Sequence, residues 1–255
     1  MRIKGSYIQY SPYNDLLAIK TLVSIVTMIS RYACKGIISD LNVLDIGCGI
    51  GGISFPLSYL GCKVVGTDIH AESIKECNRK NTYSNANYFV ADGTSLDIGR
   101  QFDVVICAGV LEHVVNYMAV LKTIRLHLSK GSIAIINIPN GYSFYETLFS
   151  RLFVKLKIGK LLHMLPGRLY TALTGSSTPY HSFNIFCDHV NFFSLMKFKR
   201  ILAESGFEIL DISKLGLGIF LDWWWMRPFK FIECKIADYI PALMAGSWNI
   251  VLKLK

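Results

Sequence analysis

At 255 residues the chain is long enough for one large domain with a full core, and its mean hydropathy of +0.37 is apolar for a soluble enzyme. No uncharged run reaches the ~18–20 residues of a membrane-spanning helix, since the nearest candidate, Leu16 to Ser30, is short and contains Lys20. Seven cysteines without a CxxC pair exclude a zinc ribbon or disulfide framework and suit a reducing compartment, and the opening MRIKGSYIQYSPYND lacks a signal peptide's apolar core. The expected location is therefore the cytoplasm, with the net charge of +9 leaving room for association at a membrane surface.

Along the chain, short apolar runs alternate with helical patterns, which predicts a parallel sheet with helices on both faces. Leu16–Tyr32 reads as a leading helix. Strands are expected at Val43–Ile46, Lys63–Thr67, Tyr88–Val90, Phe102–Cys107 and Ile133–Ile138, with helices near Ile53–Leu60, Ala71–Asn81 and Asn116–Leu128 between them. The pattern breaks from Pro139 to Asn191. A helix resumes at Ser194–Ser205, a strand follows at Phe207–Ser213, and WNIVLKLK at 248–255 closes the chain. Residues 1–255 read as a single domain carrying a lid-like insertion at 141–187 and an aromatic insertion at 220–247.

The stretch VLDIGCGIGG at 43–52 is the most informative. Glycine leaves no Cβ, so backbone N–H groups there can approach a ligand closely. The spacing Gly47-x-Gly49-x-x-Gly52 satisfies the dinucleotide fingerprint, which alone is a weak signal. Asp45 sharpens it: a carboxylate at the loop's mouth would repel a pyrophosphate but attract the ammonium of an amino-acid-like cofactor. In open parallel sheets, ligands bind beyond the carboxyl ends of the strands near the point where strand order reverses. Asp68 ends the second strand, where it can take both hydroxyls of a ribose. Asp92 ends the third and suits an adenine amino group, with Gly93 letting the ring lie close. Cys107 and Ala108 end the fourth. One such Asp alone reads as a turn or cap residue; three acids at successive strand ends point to a ligand.

These stretches, with VVGTDIH, YFVADGTSLD, FDVVICAGVLEHV and KGSIAIINIPN, resemble the class I S-adenosylmethionine-dependent methyltransferases over about residues 41–140. More loosely, VLEHV at 110–114 and DHVNFFS at 188–194 are similar to the ubiquinone-biosynthesis-type O-methyltransferases and to sugar and glycolipid O-methyltransferases. The resemblance implies a Rossmann-like α/β fold with a seven-stranded sheet whose last strand is antiparallel, and S-adenosylmethionine as cofactor. It implies that Asp45, Gly47, Gly49 and Gly51 hold the methionine moiety, Asp68 the ribose, and Asp92 with Gly93 the adenine; Cys48, Ile69, Cys107 and Ala108 are expected beside them in the cofactor site.

Methyl transfer asks mainly that the acceptor be held in line with the sulfonium. A hydroxyl acceptor also needs a base, and imidazole serves best near neutral pH. His113, just past the fourth strand, is the first candidate, and His189, after the insertion, is the second. Each also has a structural reading, His113 as an orienting or helix-capping residue and His189 as a structural one. Some relatives hold a divalent ion through Glu-x-x-Glu-His; here Glu112 and His113 match, but Gly109 stands at the first glutamate. With one carboxylate missing, no metal is expected.

The insertion at 141–187 is basic and apolar. Arg151, Lys155, Lys157, Lys160 and Arg168 lie among many large aliphatics, with no acid between Glu146 and Asp188. Together with FLDWWWMRPFKFIECKIADYI at 220–240, this suits a small-molecule, sugar or lipid-like acceptor and peripheral contact with an anionic membrane. The bland alternative is a lid packed on the protein. The aliphatic setting of the basic residues counts against nucleic acid. Two other classes stay open: a nicotinamide-dependent oxidoreductase on the same loop, and a non-catalytic binding protein on the methyltransferase fold.

Overall fold

The computed structural model describes residues 16–34, 37–143, 189–217 and 227–255. Most of the expected lid, from 144 to 188, lies outside these residues, as do Trp223, Trp224 and Trp225. In chain order the elements are α1 (Leu16–Tyr32), β1 (Asn42–Ile46), α2 (Ser54–Tyr59), β2 (Lys63–Asp68), α3 (Ala71–Lys80), β3 (Ala86–Val90), β4 (Phe102–Ala108), α4 (Tyr117–Leu126) and β5 (Leu128–Pro139). They continue with α5 (Leu195–Glu204), β6 (Phe207–Lys214), α6 (Arg227–Ile236) and β7 (Ser247–Leu254).

The seven strands form one sheet in the order β3-β2-β1-β4-β5-β7-β6. Strands β1 to β5 are parallel, and β7 runs antiparallel between β5 and β6. Strand order reverses between β1 and β4, where Asp45 sits opposite Ile106 and Ile46 opposite Cys107. That reversal opens the crevice in which such sheets bind ligands.

The strands are apolar throughout because both faces are covered. In β4, Val105 and Cys107 join one core, while Val104 and Ile106 join the other. The first core is closed by Val120, Leu121 and Ile124 of α4 and Phe198 and Leu202 of α5; the second by Ile25, Met28 and Ile29 of α1, Leu57 of α2 and Ile74 and Cys77 of α3. Each fully buried aliphatic side chain contributes ~1.5–3 kcal/mol of transfer free energy. Side-chain caps fix two helix starts: Asn116 accepts from Ala119 N for α4, and Ser194 from Lys197 N for α5.

Most boundaries fall within one or two residues of expectation, and three differences have a local cause or consequence. Strand β5 begins at Leu128, not Ile133, because Gly131 at φ 98° turns the chain and Ser129 and Ser132 share a hydroxyl hydrogen bond of 2.7 Å, letting Leu128 pair with Phe102. Strand β3 starts two residues earlier than its apolar run, at Ala86. Part of the aromatic insertion is α6, followed by a 3-10 turn at Ala242–Met244.

Candidate active site

The glycine loop is built by its own geometry. Gly47, Gly49 and Gly51 have φ of 77°, 53° and 88°, a region that strains other residues. A Cβ on Gly47 would stand 2.2 Å from Val110 Cγ2, so the turn after β4 packs directly on the loop. A Cβ on Gly49 would meet nothing within 4 Å, so that side of the loop is open. Gly47 N and Cys48 N donate to Thr67 O at 2.7 and 2.9 Å, tying the loop to the end of β2.

Asp68 is set by two backbone donors: Gly49 N to Oδ2 at 2.9 Å and His70 N to Oδ1 at 2.8 Å. Each carboxylate oxygen keeps a further lone pair, and the residue is partly exposed at the strand end. Ile69, beside it, is exposed. Asp92 is exposed and accepts from Thr94 N at 2.8 Å, so it does form a turn as well as standing at the expected strand end. Gly93 has a packing reason of its own, since a Cβ there would come 2.9 Å from Ile46 Cγ2.

Asp45 corrects an expectation. Its carboxylate does not stand at the loop's mouth: the residue is 1% exposed and accepts from Ser54 Oγ at 2.6 Å beneath the loop. Burial pushes its carboxyl from 3.8 up to about 6; the Ser54 hydroxyl opposes this and the Asp68 charge adds to it. The thiols of Cys48 and Cys107 are both buried and held well above their usual range, Cys48 chiefly by its contact with Cys77 and Cys107 by burial. Ala108, half-buried, lies at the crevice edge of β4.

His113 and His189 come together. Their rings meet edge to face with centroids 4.9 Å apart; His113 is exposed and His189 half-buried. The two segments are stitched by backbone. Val190 N and Asn191 N donate to Glu112 O at 2.8 and 3.1 Å, and Asn191 Nδ2 donates to Leu111 O and Val114 O at 2.9 and 2.7 Å. Gly141 N donates to Phe193 O at 2.9 Å, and a Cβ on Gly141 would lie 2.7 Å from Phe192 Cα, so only glycine fits that crossing. His113 N closes a turn on Val110 O at 3.0 Å, which links the imidazole pair to the residue packed on Gly47.

Glu112 is buried beside the two histidines. Its carboxylate and the two imidazoles offer ligand atoms within 4.8 Å of one another, a spacing from which a divalent ion can be held. His127, by contrast, is structural: it is buried, with Nδ1 2.8 Å from Thr123 O and Nε2 accepting from Ile98 N at 3.0 Å.

Sequence reasoning missed the part played by three contributors. Ser54 carries no motif, and Val110 opens VLEHV without any sign that it packs on Gly47. Asn191, inside DHVNFFS, has a legible signal as the one amide in that run, but its partners are set by tertiary contact alone.

The glycine loop open at Gly49, the doubly anchored Asp68 and the exposed Asp92 after β3 all lie at the carboxyl edge of the sheet. Residues 23–212 match the family model described as a methyltransferase domain. The ubiquinone biosynthesis O-methyltransferase of Rickettsia prowazekii (strain Madrid E) is 35% identical over 106 residues, 40% of this chain and 42% of that protein. That of Rickettsia conorii (strain ATCC VR-613 / Malish 7) is 34% identical over 105 residues, 40% of this chain and 36% of that protein. The chain thus spans less than half the length of these curated relatives. Among solved structures, magnesium protoporphyrin IX methyltransferase from Synechocystis PCC 6803 with bound SAH aligns over 97% of this chain and 89% of that one, with TM-score 0.59 at 18% identity. A glycopeptide N-methyltransferase aligns over 96% and 99%, with TM-score 0.54 at 10% identity. Both likenesses show the fold.

Proposed function

Because this chain belongs to the methyltransferase-domain family and so takes its methyl group from S-adenosylmethionine, we propose that it transfers that group to a hydroxyl oxygen of a small-molecule, sugar or lipid-like acceptor by in-line displacement. When bound, S-adenosylmethionine supplies a methyl group on a sulfonium whose positive charge is lost in the transfer, so no oxyanion hole is required. The chain's own work is to hold and to deprotonate. In this reading Asp68 takes the ribose hydroxyls on lone pairs left by Gly49 N and His70 N. Asp92 and Gly93 border the adenine, and the loop at Gly47, Gly49 and Gly51 carries the methionine end with Asp45 beneath it.

The observation that carries the hydroxyl reading is the exposed imidazole of His113, one turn from the Val110 side chain that packs on Gly47. A hydroxyl acceptor must lose a proton, and a phenol's pKa of ~10 makes that unfavourable without a base. His113 takes that proton, and His189, in edge contact with it, orients the ring and shares the charge. We assign the pair to proton transfer without a metal ion. Gly109 stands where a second carboxylate would be needed, and its φ of 67° strains any residue with a side chain there. The basic, apolar composition of 141–187 supports an acceptor that is lipid-like or membrane-borne, with peripheral contact at an anionic surface.

Transfer of a radiolabelled methyl group from S-adenosylmethionine into fractionated cell extract tests this. Label entering an alkali-stable ether in the apolar fractions, and absent with His113→Ala, supports it. Label entering only amines or nucleic acid contradicts it.

A further inference from the structure

The described side chains of α6 run against the usual pattern. Among residues 231–237, Glu233, Cys234 and Ala237 just past the helix end are buried, whereas Phe231, Ile232 and Ile236 are exposed beside Lys235. A surface helix ordinarily places its large apolar residues on the core side. The exposed run continues past the helix through Tyr239, Leu243 and Met244. Tyr239 is 90% exposed, and the other five lie between 42% and 62%. Six large apolar side chains in one short segment exceed the scattered exposure of an ordinary surface.

The segment is fixed in place by polar bonds on its inner side. Leu217 N donates to Glu233 Oε1 at 3.0 Å, and Lys214 Nζ to Asp238 O and Ile240 O at 2.7 and 2.8 Å. Asn140 Nδ2 reaches Leu243 O and Ala245 O at 3.1 and 2.8 Å, and Trp248 Nε1 donates to Ala242 O at 2.7 Å. It bridges the end of β6 to the start of β7, where Ser247 pairs with Pro139 at the end of β5. The exposed face is therefore anchored at the same edge of the sheet as the glycine loop.

Charge identifies the occupant. Of the two acids in 231–244, Glu233 is turned inward and Asp238 is paired with Lys20 at 2.8 Å. Lys235 is exposed, its ammonium 4.6 Å from the centre of the Phe231 ring, so a positive charge sits on the apolar face itself. Apolar residues flanked by lysine, with a tyrosine at the rim, match the boundary of an anionic bilayer. We infer that the outward face of Phe231–Met244 docks this protein on an anionic lipid surface and presents the acceptor crevice to it. This rests on the reading of a lipid-borne acceptor and assigns a contact surface to α6 and the turn after it.

The test is co-sedimentation of the full chain with equimolar phosphatidylcholine/phosphatidylglycerol vesicles and with phosphatidylcholine alone, alongside S-adenosylhomocysteine calorimetry. Wild type should partition onto the anionic vesicles and less onto neutral ones. The combined Phe231→Ser, Ile232→Ser, Ile236→Ser variant should lose roughly tenfold or more of that partition, and Lys235→Glu roughly fivefold, both with S-adenosylhomocysteine affinity unchanged. Absence of wild-type binding, or undiminished binding by the triple variant, would overturn the assignment. So would a wild-type dimer in gel filtration that the triple variant abolishes. Loss of S-adenosylhomocysteine binding with vesicle binding intact would instead count against the methyl-donor reading and leave this surface standing.

Discussion

The imidazoles of His113 and His189 meet edge to face, 4.9 Å between centroids, although one follows β4 and the other precedes α5. Backbone bonds from Val190 and Asn191 to Glu112 O hold them there. The pair should therefore act as a unit. His113→Ala should lower turnover by roughly 10²-fold or more, with S-adenosylhomocysteine affinity nearly unchanged. His189→Ala should cost less, and the double variant little more than His113→Ala alone. Additive losses, read from single-turnover methyl transfer, would show that the two histidines work independently.

Asn191 is the stitch most accessible to substitution. Its amide spans Leu111 O and Val114 O, and Asn191→Ala leaves both carbonyls without that donor. Each lost bond of this kind costs ~1–3 kcal/mol, so thermal stability should fall measurably. Turnover should fall further than cofactor affinity, because the histidine segments loosen while the glycine loop is untouched. Equal loss of both would place Asn191's effect on the whole fold rather than on the crevice.

Much of the cofactor half was legible because each signal is local. An apolar strand followed by glycines, or by an aspartate at its end, needs no partner to be recognised, and β1, β2 and β4 appear within a residue or so of expectation. What escaped depends on tertiary contact. Asp45 reads as accessible because its neighbours in sequence include glycines, yet Ser54, nine residues on, covers it. Helix α6 was missed because Arg227–Ile236 lies within a run dense in aromatic residues that was read as one stretch, and which residues it buries is set by tertiary contact. The meeting of His113 with His189 is hinted at by two separate motifs, and neither motif by itself contains the contact.

Asp45 gives a pH dependence with a defined sign. Its folded pKa of about 6 lies above the ordinary carboxyl value of 3.8, so between about pH 4 and 6 the folded protein holds more protons than the unfolded chain. Stability from this group is fully present below about pH 4, falls as pH rises through 6, and is level above it. The cost at neutral pH is on the order of 3 kcal/mol. Asp45→Asn, which can still accept from Ser54, should melt higher than wild type at neutral pH in the cofactor-free state and lose this slope. An unaltered melting profile from acid to neutral pH would contradict the burial of an ionisable Asp45.

Proton transfer without a metal predicts that exhaustive dialysis against a chelator leaves methyl transfer intact. Activity lost on dialysis and restored by zinc or manganese would convert Glu112, His113 and His189, already within 4.8 Å, into ligands.

Calorimetry of the full chain with S-adenosylhomocysteine and with NAD tests the central claim most directly. S-adenosylhomocysteine should bind and NAD should not, and Asp68→Ala, which removes the carboxylate held by Gly49 N and His70 N, should weaken S-adenosylhomocysteine by roughly 10²-fold, as expected for charged hydrogen bonds. NAD binding without S-adenosylhomocysteine binding would contradict the methyl-donor assignment.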